Sequence, residues 1–247
     1  MKTLILFDVD GTLTPSRLQI KNDMRDTLQK LREKGFTLGI VGGSDLPKQE
    51  EQLGGKDYIF SIFDYVFSEN GLDAYYQGER FHQQKMINFM GEDFFQDFIN
   101  DCLKILSKIT IPKKRGTFLE TRTGMVNVCP IGRSCSQEER EEFFEFDKEH
   151  KIRELICSKI NEKWENNLKT SIGGQISIDV FPHGWDKTYC LQFVENKFDK
   201  IYFFGDKTAE GGNDFEIFND ERTVGNTVTS PEDTIEQLTL LFLHTAV

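Results

Sequence analysis

Two carboxylates and a glycine follow a short apolar run at the start of this 247-residue chain. Residues 4–7 are apolar and lead into the sequence DVDGTLT, which contains Asp8, Asp10 and Gly11. Such a run is typical of a buried parallel strand, and open α/β sheets bind ligands at the carboxyl ends of their strands. The pair could hold Mg²⁺ against a phosphate, and one aspartate could attack phosphorus while its neighbour moves the proton. The alternative is an ordinary turn, in which Asp and Gly are common.

Two later apolar runs also end in polar residues. Ser44 follows residues 36–41 and two glycines, so its hydroxyl could bind phosphate at the sheet edge that carries Asp8. The alternative for Ser44 is a helix cap. Asp206 follows residues 201–204 and a glycine, and with Asp8 it would offer Mg²⁺ the few protein oxygens that this ion prefers.

A lysine and two further polar residues belong to the same predicted site. Lys187 begins a predicted helix after the sequence GWD, where its charge could neutralise the nucleophile and the transferring phosphoryl group. Asn213 and Asp214 follow two glycines and are predicted to support the metal ligands. A surface lysine and a glycine-rich loop are the alternatives without a function.

The middle of the chain carries basic residues that could bind a second anion. Arg122 ends a predicted strand, Arg133 lies in the sequence PIGRS, and Arg140 lies in the first turns of a helix that Ser136 opens. Guanidinium groups bind phosphate through planar paired donors, so three converging arginines would form a strong anion site. Each arginine alone could equally be a solvated surface residue.

Strand alternation places two more polar residues on one face. In the sequence QISIDV, Ser177 and Asp179 alternate with aliphatic residues. A polar face turned toward a cleft could hydrogen-bond sugar hydroxyls, whereas a polar face turned toward water needs no function. The pattern by itself leaves both interpretations open.

The predicted strands and helices that must position these residues follow two different orders along the chain. Strand and helix alternate in residues 1–81 and again in 185–247, including an amphipathic helix over residues 20–34, which indicates parallel-strand crossovers. Residues 82–184 instead indicate antiparallel strands with neighbouring helices, including a capping box between Ser136 and Glu139. We therefore predict an α/β fold with a discontinuous core, 1–81 and 185–247, and an inserted α+β cap, 82–184.

Composition excludes several classes of protein. The formal net charge of −11 argues against a nucleic-acid-binding surface. No apolar stretch approaches the length of a membrane span. The five cysteines form no CxxC pair and are odd in number, so we expect reduced thiols and a cytoplasmic location. We therefore expect neither nucleic acid nor a membrane as a partner, and an anionic substrate would need a local group of basic residues.

Several motifs resemble those of a known superfamily and of one family within it. DVDGTLT, Ser44 and GWDKT resemble the first three motifs of the haloacid dehalogenase superfamily, which has a Rossmannoid core. Longer motifs resemble the eukaryotic-type phosphomannomutase family throughout the chain: RGTFLETRTGM (115–125), NVCPIGRSCSQEER (127–140), GGQISIDVFP (173–182) and YFFGDKTAEGGND (202–214).

This resemblance implies an activity and its cofactors. The family implies Mg-dependent interconversion of mannose 6-phosphate and mannose 1-phosphate for GDP-mannose synthesis, a hexose 1,6-bisphosphate activator, and a homodimer joined through the caps. It implies Asp8 as nucleophile, Asp10 as acid/base and carbonyl ligand, and Lys187 as the neutralising cation. The implied substrate-binding positions are Arg17, Ser44, Arg122, Arg133, Arg140, Ser177 and Asp179. The implied metal positions are Asp8, Asp10 and Asp206, with Phe218, Asp220 and Thr223 at a second cation site.

Two other functions fit the core motifs. A sugar-phosphate phosphatase of the same superfamily would use Asp8 and Asp10 on water, and a catalytically silent protein would only bind sugar phosphates. The three-arginine cap favours the mutase, because a reaction that passes through a bisphosphate needs a second phosphate site. The preference between mannose and glucose phosphates is not readable from these residues.

Overall fold

A computed structural model describes residues 2–16 and 18–244, and the chain divides into two compact units. The first unit contains the described residues up to Gln83 and from Gly184 onward, and the second contains Gln84–His183. The described chain, with its gaps at residues 1, 17 and 245–247, contains no helix long and apolar enough to cross a bilayer.

The first unit begins with five strands and three helices. They are β1 (Thr3–Phe7), α1 (Asn22–Glu33), β2 (Thr37–Val41), α2 (Leu46–Leu53), α3 (Lys56–Ile62), β3 (Tyr65–Ser68), β4 (Asp73–Tyr76) and β5 (Glu79–Gln83). A short 3₁₀ turn, Glu69–Gly71, connects β3 to β4.

The second unit contains four helices and four strands. They are α4 (Met86–Met90), α5 (Glu92–Lys108), β6 (Leu119–Thr121), β7 (Val126–Val128), α6 (Gln137–His150), α7 (Ile152–Trp164), β8 (Leu168–Gly173) and β9 (Ser177–Pro182). The predicted capping box is confirmed at the start of α6, where the Glu139 N–H donates to Ser136 Oγ and the Ser136 N–H donates to Glu139 Oε2.

The chain then returns to the first unit. Its remaining elements are a 3₁₀ helix (Lys187–Phe193), β10 (Lys200–Gly205), α8 (Phe215–Asn219), β11 (Val224–Thr227), α9 (Pro231–Leu238) and a π-helical turn (Thr239–Leu243). A helix was predicted over residues 186–194, and the structure forms it with the tighter 3₁₀ geometry.

The first unit is built on a seven-stranded sheet in the order β11-β10-β1-β2-β3-β4-β5. The strands from β11 to β3 are parallel, and β4 and β5 are antiparallel additions at the edge. Alternate residues of β1 enter two cores on opposite faces of the sheet: Ile5 and Phe7 pack on one side, Leu4 and Leu6 on the other. Burial on both faces explains why residues 4–7 are continuously apolar.

The second unit is built on a four-stranded antiparallel sheet in the order β6-β7-β9-β8. Its register pairs Glu120 with Asn127, Asn127 with Asp179, and Asp179 with Ser171. Directly paired residues of an antiparallel sheet share a face. These four side chains therefore form one polar row across the sheet.

Candidate active site

Asp8 lies directly beyond the carboxyl end of β1, next to β10. Its backbone N–H donates to the Phe204 carbonyl oxygen (2.9 Å), which continues the β1–β10 ladder by one residue. Its side chain is almost fully buried, with a residue exposure of 5%. Parallel pairing of β1 with β10 thus brings Asp8 to the same sheet edge as Asp206, which follows β10.

Gly11 allows the Asp206 carboxylate to approach the first loop. Its φ of +80° favours glycine, and a Cβ built there would lie 2.7 Å from Asp206 Cγ. The Gly11 N–H donates to the Thr14 carbonyl oxygen (2.8 Å), which folds the loop back on itself. The glycine of DVDGTLT is therefore required by both its backbone conformation and a close contact.

Lys187 is buried between two carboxylates. Its residue exposure is 1%, and its Nζ donates to Asp8 Oδ1 and to Asp214 Oδ1. Asp186 caps the 3₁₀ helix that carries it, accepting a hydrogen bond from the Thr188 N–H (3.0 Å). Burial by itself lowers the pKa of Lys187, but the charges of Asp8 and Asp214 outweigh that effect and raise it above its usual value. The ammonium group is thus held in its charged form.

Burial also perturbs the carboxylates. Loss of hydration raises the pKa of Asp8 to about 6, and the Lys187 charge only partly opposes this rise. Burial likewise raises the pKa of Asp206. Such shifts are typical of carboxylates held close together at functional sites.

Three carboxylates come close enough to share a metal ion. Oxygen atoms of Asp8, Asp206 and Asp214 lie within 4.8 Å of one another. Within the described part of the chain, Asp206 Oδ1 is buried and has no hydrogen-bond partner. Because Lys187 supplies a single positive charge to this group, the site retains negative charge. Hard oxygen ligands with excess negative charge fit Mg²⁺.

The structure brings together side chains of the predicted metal site. Asp8 and Asp206 lie together as expected, and Asp214, predicted only as support, is the third member of the carboxylate cluster. Asp10 was predicted to bind the metal through its backbone carbonyl, and its carboxylate accepts a hydrogen bond at Oδ1 from Gln52 Nε2 (2.7 Å).

Ser44 shares a cavity with Asp8. The cavity has a volume of about 140 Å³, and its lining includes Asp8, Asp10, Ser44, Lys207 and Asn213. Asp45, rather than Ser44, is the N-cap residue of α2 and accepts a hydrogen bond from the Lys48 N–H (3.1 Å). The Ser44 hydroxyl is therefore not used as the helix cap.

Two glutamines of α2 were missed by the sequence analysis. Gln52 is buried and reaches Asp10, as described above, while buried Gln49 accepts a hydrogen bond from Ser68 Oγ (2.8 Å). Both line the cavity that contains Asp8. Gln49, Gln52 and Leu53 share one helix face at i, i+3 and i+4. The sequence signal for burial of the two glutamines was their position in this helical pattern.

The predicted second cation site lies around the end of α8. Both oxygens of Asp220 accept hydrogen bonds from the Arg222 guanidinium (2.8 Å each), which lowers the pKa of Asp220. Thr223 Oγ1 donates to the Ile217 carbonyl oxygen (2.6 Å), and the Phe218 carbonyl oxygen lies against Gly225. A cation here would have to compete with Arg222 for the carboxylate.

In the second unit, two of the predicted arginines converge on one acidic residue. Arg122 Nη2 lies 2.7 Å and Arg133 Nε lies 3.3 Å from the same oxygen, Glu120 Oε2. Arg133 Nη1 also donates to Asn127 Oδ1 (3.1 Å), and Asn127 Nδ2 donates to Asp179 Oδ1 (2.6 Å). Two guanidinium groups thus surround one anionic oxygen of the polar row, an arrangement that also suits phosphate.

The structure places two more of the predicted substrate-binding residues in the second unit. Arg140 lies in the first turns of α6, where its N–H donates to the Ser136 carbonyl oxygen (3.0 Å). Ser177 begins β9 and is buried. Arg17 lies outside the described residues.

Solved structures with the same architecture identify the fold. A haloacid dehalogenase-like hydrolase from Bacteroides thetaiotaomicron matches with a TM-score of 0.62 and 15% identity, covering 98% of this chain and 100% of that one. The IMP-bound, N-terminally truncated IMP-nucleotidase of Plasmodium falciparum matches with a TM-score of 0.61 and 18% identity, covering 96% of this chain and 67% of that one. These matches confirm the predicted haloacid dehalogenase-like α/β fold.

Sequence comparison resolves the family. A family model described as eukaryotic phosphomannomutase matches residues 24–244. The phosphomannomutase of Galdieria sulphuraria is 57% identical over 241 residues, 97% of this chain and 94% of the relative. That of Saccharomyces cerevisiae is 56% identical over 243 residues, 98% of this chain and 94% of the relative. The chain therefore belongs to the eukaryotic phosphomannomutase family.

Proposed function

We propose that this chain is a phosphomannomutase that interconverts mannose 6-phosphate and mannose 1-phosphate through a hexose 1,6-bisphosphate and feeds GDP-mannose synthesis. Family membership supports the substrate class. The observation that carries the chemistry is the buried Lys187, which holds Asp8 and Asp214 beside Asp206. That arrangement provides an acidic nucleophile, a fixed cation and oxygen ligands at one sheet edge.

Asp8 and Asp10 have separate roles in this proposal. A hexose 1,6-bisphosphate activator transfers one phosphoryl group to an Asp8 oxygen as the sugar P–O bond breaks, and Asp10 protonates the leaving sugar oxygen. The aspartyl phosphate then gives this group to the free hydroxyl of a hexose monophosphate; Asp10 takes the proton from that hydroxyl as its oxygen bonds to phosphorus, and the bond from phosphorus to Asp8 breaks. The bisphosphate formed turns around and returns its other phosphoryl group to Asp8, which releases the isomerised monophosphate. Gln52 orients Asp10 through the Nε2 to Oδ1 hydrogen bond. Lys187 balances the charge on Asp8 in each step.

The residues present fit a magnesium ion. Asp8 and Asp206 would hold it with the backbone carbonyl of Asp10, and Asp214 supports them through Lys187 and the Lys207 N–H (3.0 Å). The unpartnered Asp206 Oδ1 is the atom that most needs such a cation. Bound there, Mg²⁺ would reduce the repulsion between the Asp8 carboxylate and the incoming phosphate.

The second unit supplies the site for the phosphate that is not reacting. We assign this role to Arg122 and Arg133, which already share one anionic oxygen, together with Arg140. Ser177 and Asp179 are assigned to the sugar hydroxyls. Because the bisphosphate must present each end to Asp8 in turn, the distal site must accept either phosphate. Planar arginine donors, which recognise phosphate rather than the sugar position, meet that need.

The proposal includes an assembly and a location. A homodimer through the second units belongs to the proposal because the family resemblance implies one. A cytoplasmic location is supported by five cysteines that are all free thiols in the structure.

A coupled mutase assay tests the function. Purified protein with Mg²⁺, mannose 1-phosphate and catalytic glucose 1,6-bisphosphate should form mannose 6-phosphate, with glucose 1-phosphate measured in parallel. The D8N variant should remain folded and lose turnover, because it lacks the nucleophilic carboxylate. Release of inorganic phosphate without isomer would refute the mutase and support a phosphatase.

A further inference from the structure

Three consecutive residues between β3 and β4 have left-handed backbone conformations. The φ values are +49° at Glu69, +65° at Asn70 and +103° at Gly71. Residues other than glycine rarely adopt this region, and asparagine is one of the few side chains that tolerates it. Strained segments of this kind persist where the surrounding contacts over-determine them, and they cluster at functional sites.

The strained turn holds the loop that carries Ser44. The Glu69 N–H donates to the Ser44 carbonyl oxygen, and the Asn70 N–H donates to the Gly42 carbonyl oxygen, both at 2.9 Å. The turn therefore binds two carbonyl oxygens of the Ser44 loop, those of Gly42 and Ser44. This is the loop that brings Ser44 to the cavity containing Asp8.

The same turn also contacts the segment that carries Lys187 on both sides of the lysine. Asn70 Nδ2 donates to the carbonyl oxygen of Trp185 (3.2 Å), two residues before Lys187. A Cβ at Gly71 would lie 3.0 Å from both Cα and Cβ of Cys190, three residues after the lysine. The backbones of the turn and the 3₁₀ helix thus pack together closely enough to require glycine.

We infer that Asn70 is a positioning residue for phosphoryl transfer, joining the Ser44 loop to the Lys187 segment. The backbone N–H of Asn70 binds the Ser44 loop, and its side-chain amide binds the segment that carries Lys187. The two segments therefore keep a fixed spacing around Asp8. The inference rests on the proposed function, in which Lys187 must stay on the Asp8 carboxylate. Asparagine suits the position because it combines a left-handed backbone with a side-chain donor.

Kinetics of a nearly isosteric variant test this role. N70D keeps the shape and replaces the donor with an oxygen that repels the Trp185 carbonyl. The control is N226D, because Asn226 is also half-buried and its Nδ2 also donates to a backbone carbonyl oxygen, that of Phe203, at 3.2 Å. We expect kcat of N70D to fall about tenfold, corresponding to about 1.4 kcal/mol. KM for mannose 1-phosphate should stay within about twofold, and N226D should match the wild type.

The outcomes separate this inference from the proposed function. If the wild type turns over and N70D retains the kcat of N226D, the positioning role is wrong. If the wild type itself forms no mannose 6-phosphate, the proposed function fails, and the inference is then decided by a measurement that needs no turnover.

Trp185 provides that second measurement. The chain has two tryptophans, so a W164F background leaves Trp185 as the sole indole. We expect N70D to increase acrylamide quenching of Trp185 in the folded protein and N226D to leave it unchanged. If N70D does not fold, N70G replaces it, because glycine keeps the left-handed backbone and lacks the side-chain donor. N70G should likewise lower kcat and increase the quenching of Trp185. Unchanged quenching in the folded variant would overturn the inference.

Discussion

Replacing Lys187 with methionine should remove the only cation paired with Asp8 and Asp214 among the described residues. Methionine keeps an unbranched chain of similar length, so the change removes charge more than volume. The two carboxylates have oxygens within 4.8 Å of each other and are at most 5% exposed. At that distance and an effective dielectric constant of about 20, their repulsion is about 3 kcal/mol.

We therefore expect K187M to lower the free energy of unfolding by about 3–5 kcal/mol, the usual cost of leaving buried charges without their partner. The measurement is denaturant unfolding followed by Trp185 emission in the W164F background, which reports the first unit. The control is K148M, because Lys148 pairs with Glu145 on the surface, with its side chain 55% exposed. Its loss should cost less than about 1 kcal/mol.

A second substitution tests the electrostatic reason. D214N in the K187M background removes one of the two uncompensated carboxylates and should recover part of the loss. The recovery is smaller than the full repulsion of about 3 kcal/mol, because without Lys187 the pKa of buried Asp8 rises further and this carboxylate can take up a proton. Added Mg²⁺ should stabilise K187M more than K148M, because the cation would partly replace the lost charge. A K187M protein as stable as K148M would refute the reasoning.

Two other predictions concern neighbouring residues. G11A should lower the free energy of unfolding by about 2 kcal/mol more than G35A does. Both glycines have positive φ, but of the two only Gly11 would bring its new Cβ against another group, the Asp206 carboxylate. Equal losses of stability in a denaturation assay would exclude the steric argument. Q52L should lower kcat about tenfold in the coupled assay, because it removes the hydrogen bond to Asp10. The control Q29L removes an exposed hydrogen bond from Gln29 to Glu33 (3.0 Å) and should leave kcat unchanged. A wild-type kcat in Q52L would contradict the orienting role of Gln52.

Local pattern was sufficient for most elements of the fold. Continuous apolar residues indicated β1 because a central parallel strand is buried on both faces. Helical periodicity placed Met24, Leu28 and Leu31 on one face of a helix, and all three are buried residues of α1. These signals depend on residues a few positions apart, so they are readable from the chain.

Other parts of the site had weak local signals. Gln52 was not singled out, because the helical pattern that it shares with Gln49 and Leu53 indicates a buried face of α2 but does not show that this face meets Asp10. Asp214 looked like a supporting residue of a glycine-rich loop, although the structure buries it against Lys187. The left-handed turn at Asn70 was not part of the predicted site, because its contacts come from segments 28 and 115 residues away in the chain.

The sequence by itself determined the alternation of strands and helices, the family, and the carboxylates that follow buried strands. Only the tertiary structure decided that β10 pairs with β1, so that Asp206 lies beside Asp8 across a gap of almost 200 residues, and that Lys187 is buried between two acids. The physical reason is that periodicity reports which face of an element is buried, whereas strand neighbours, desolvation and charge compensation arise from contacts between distant segments.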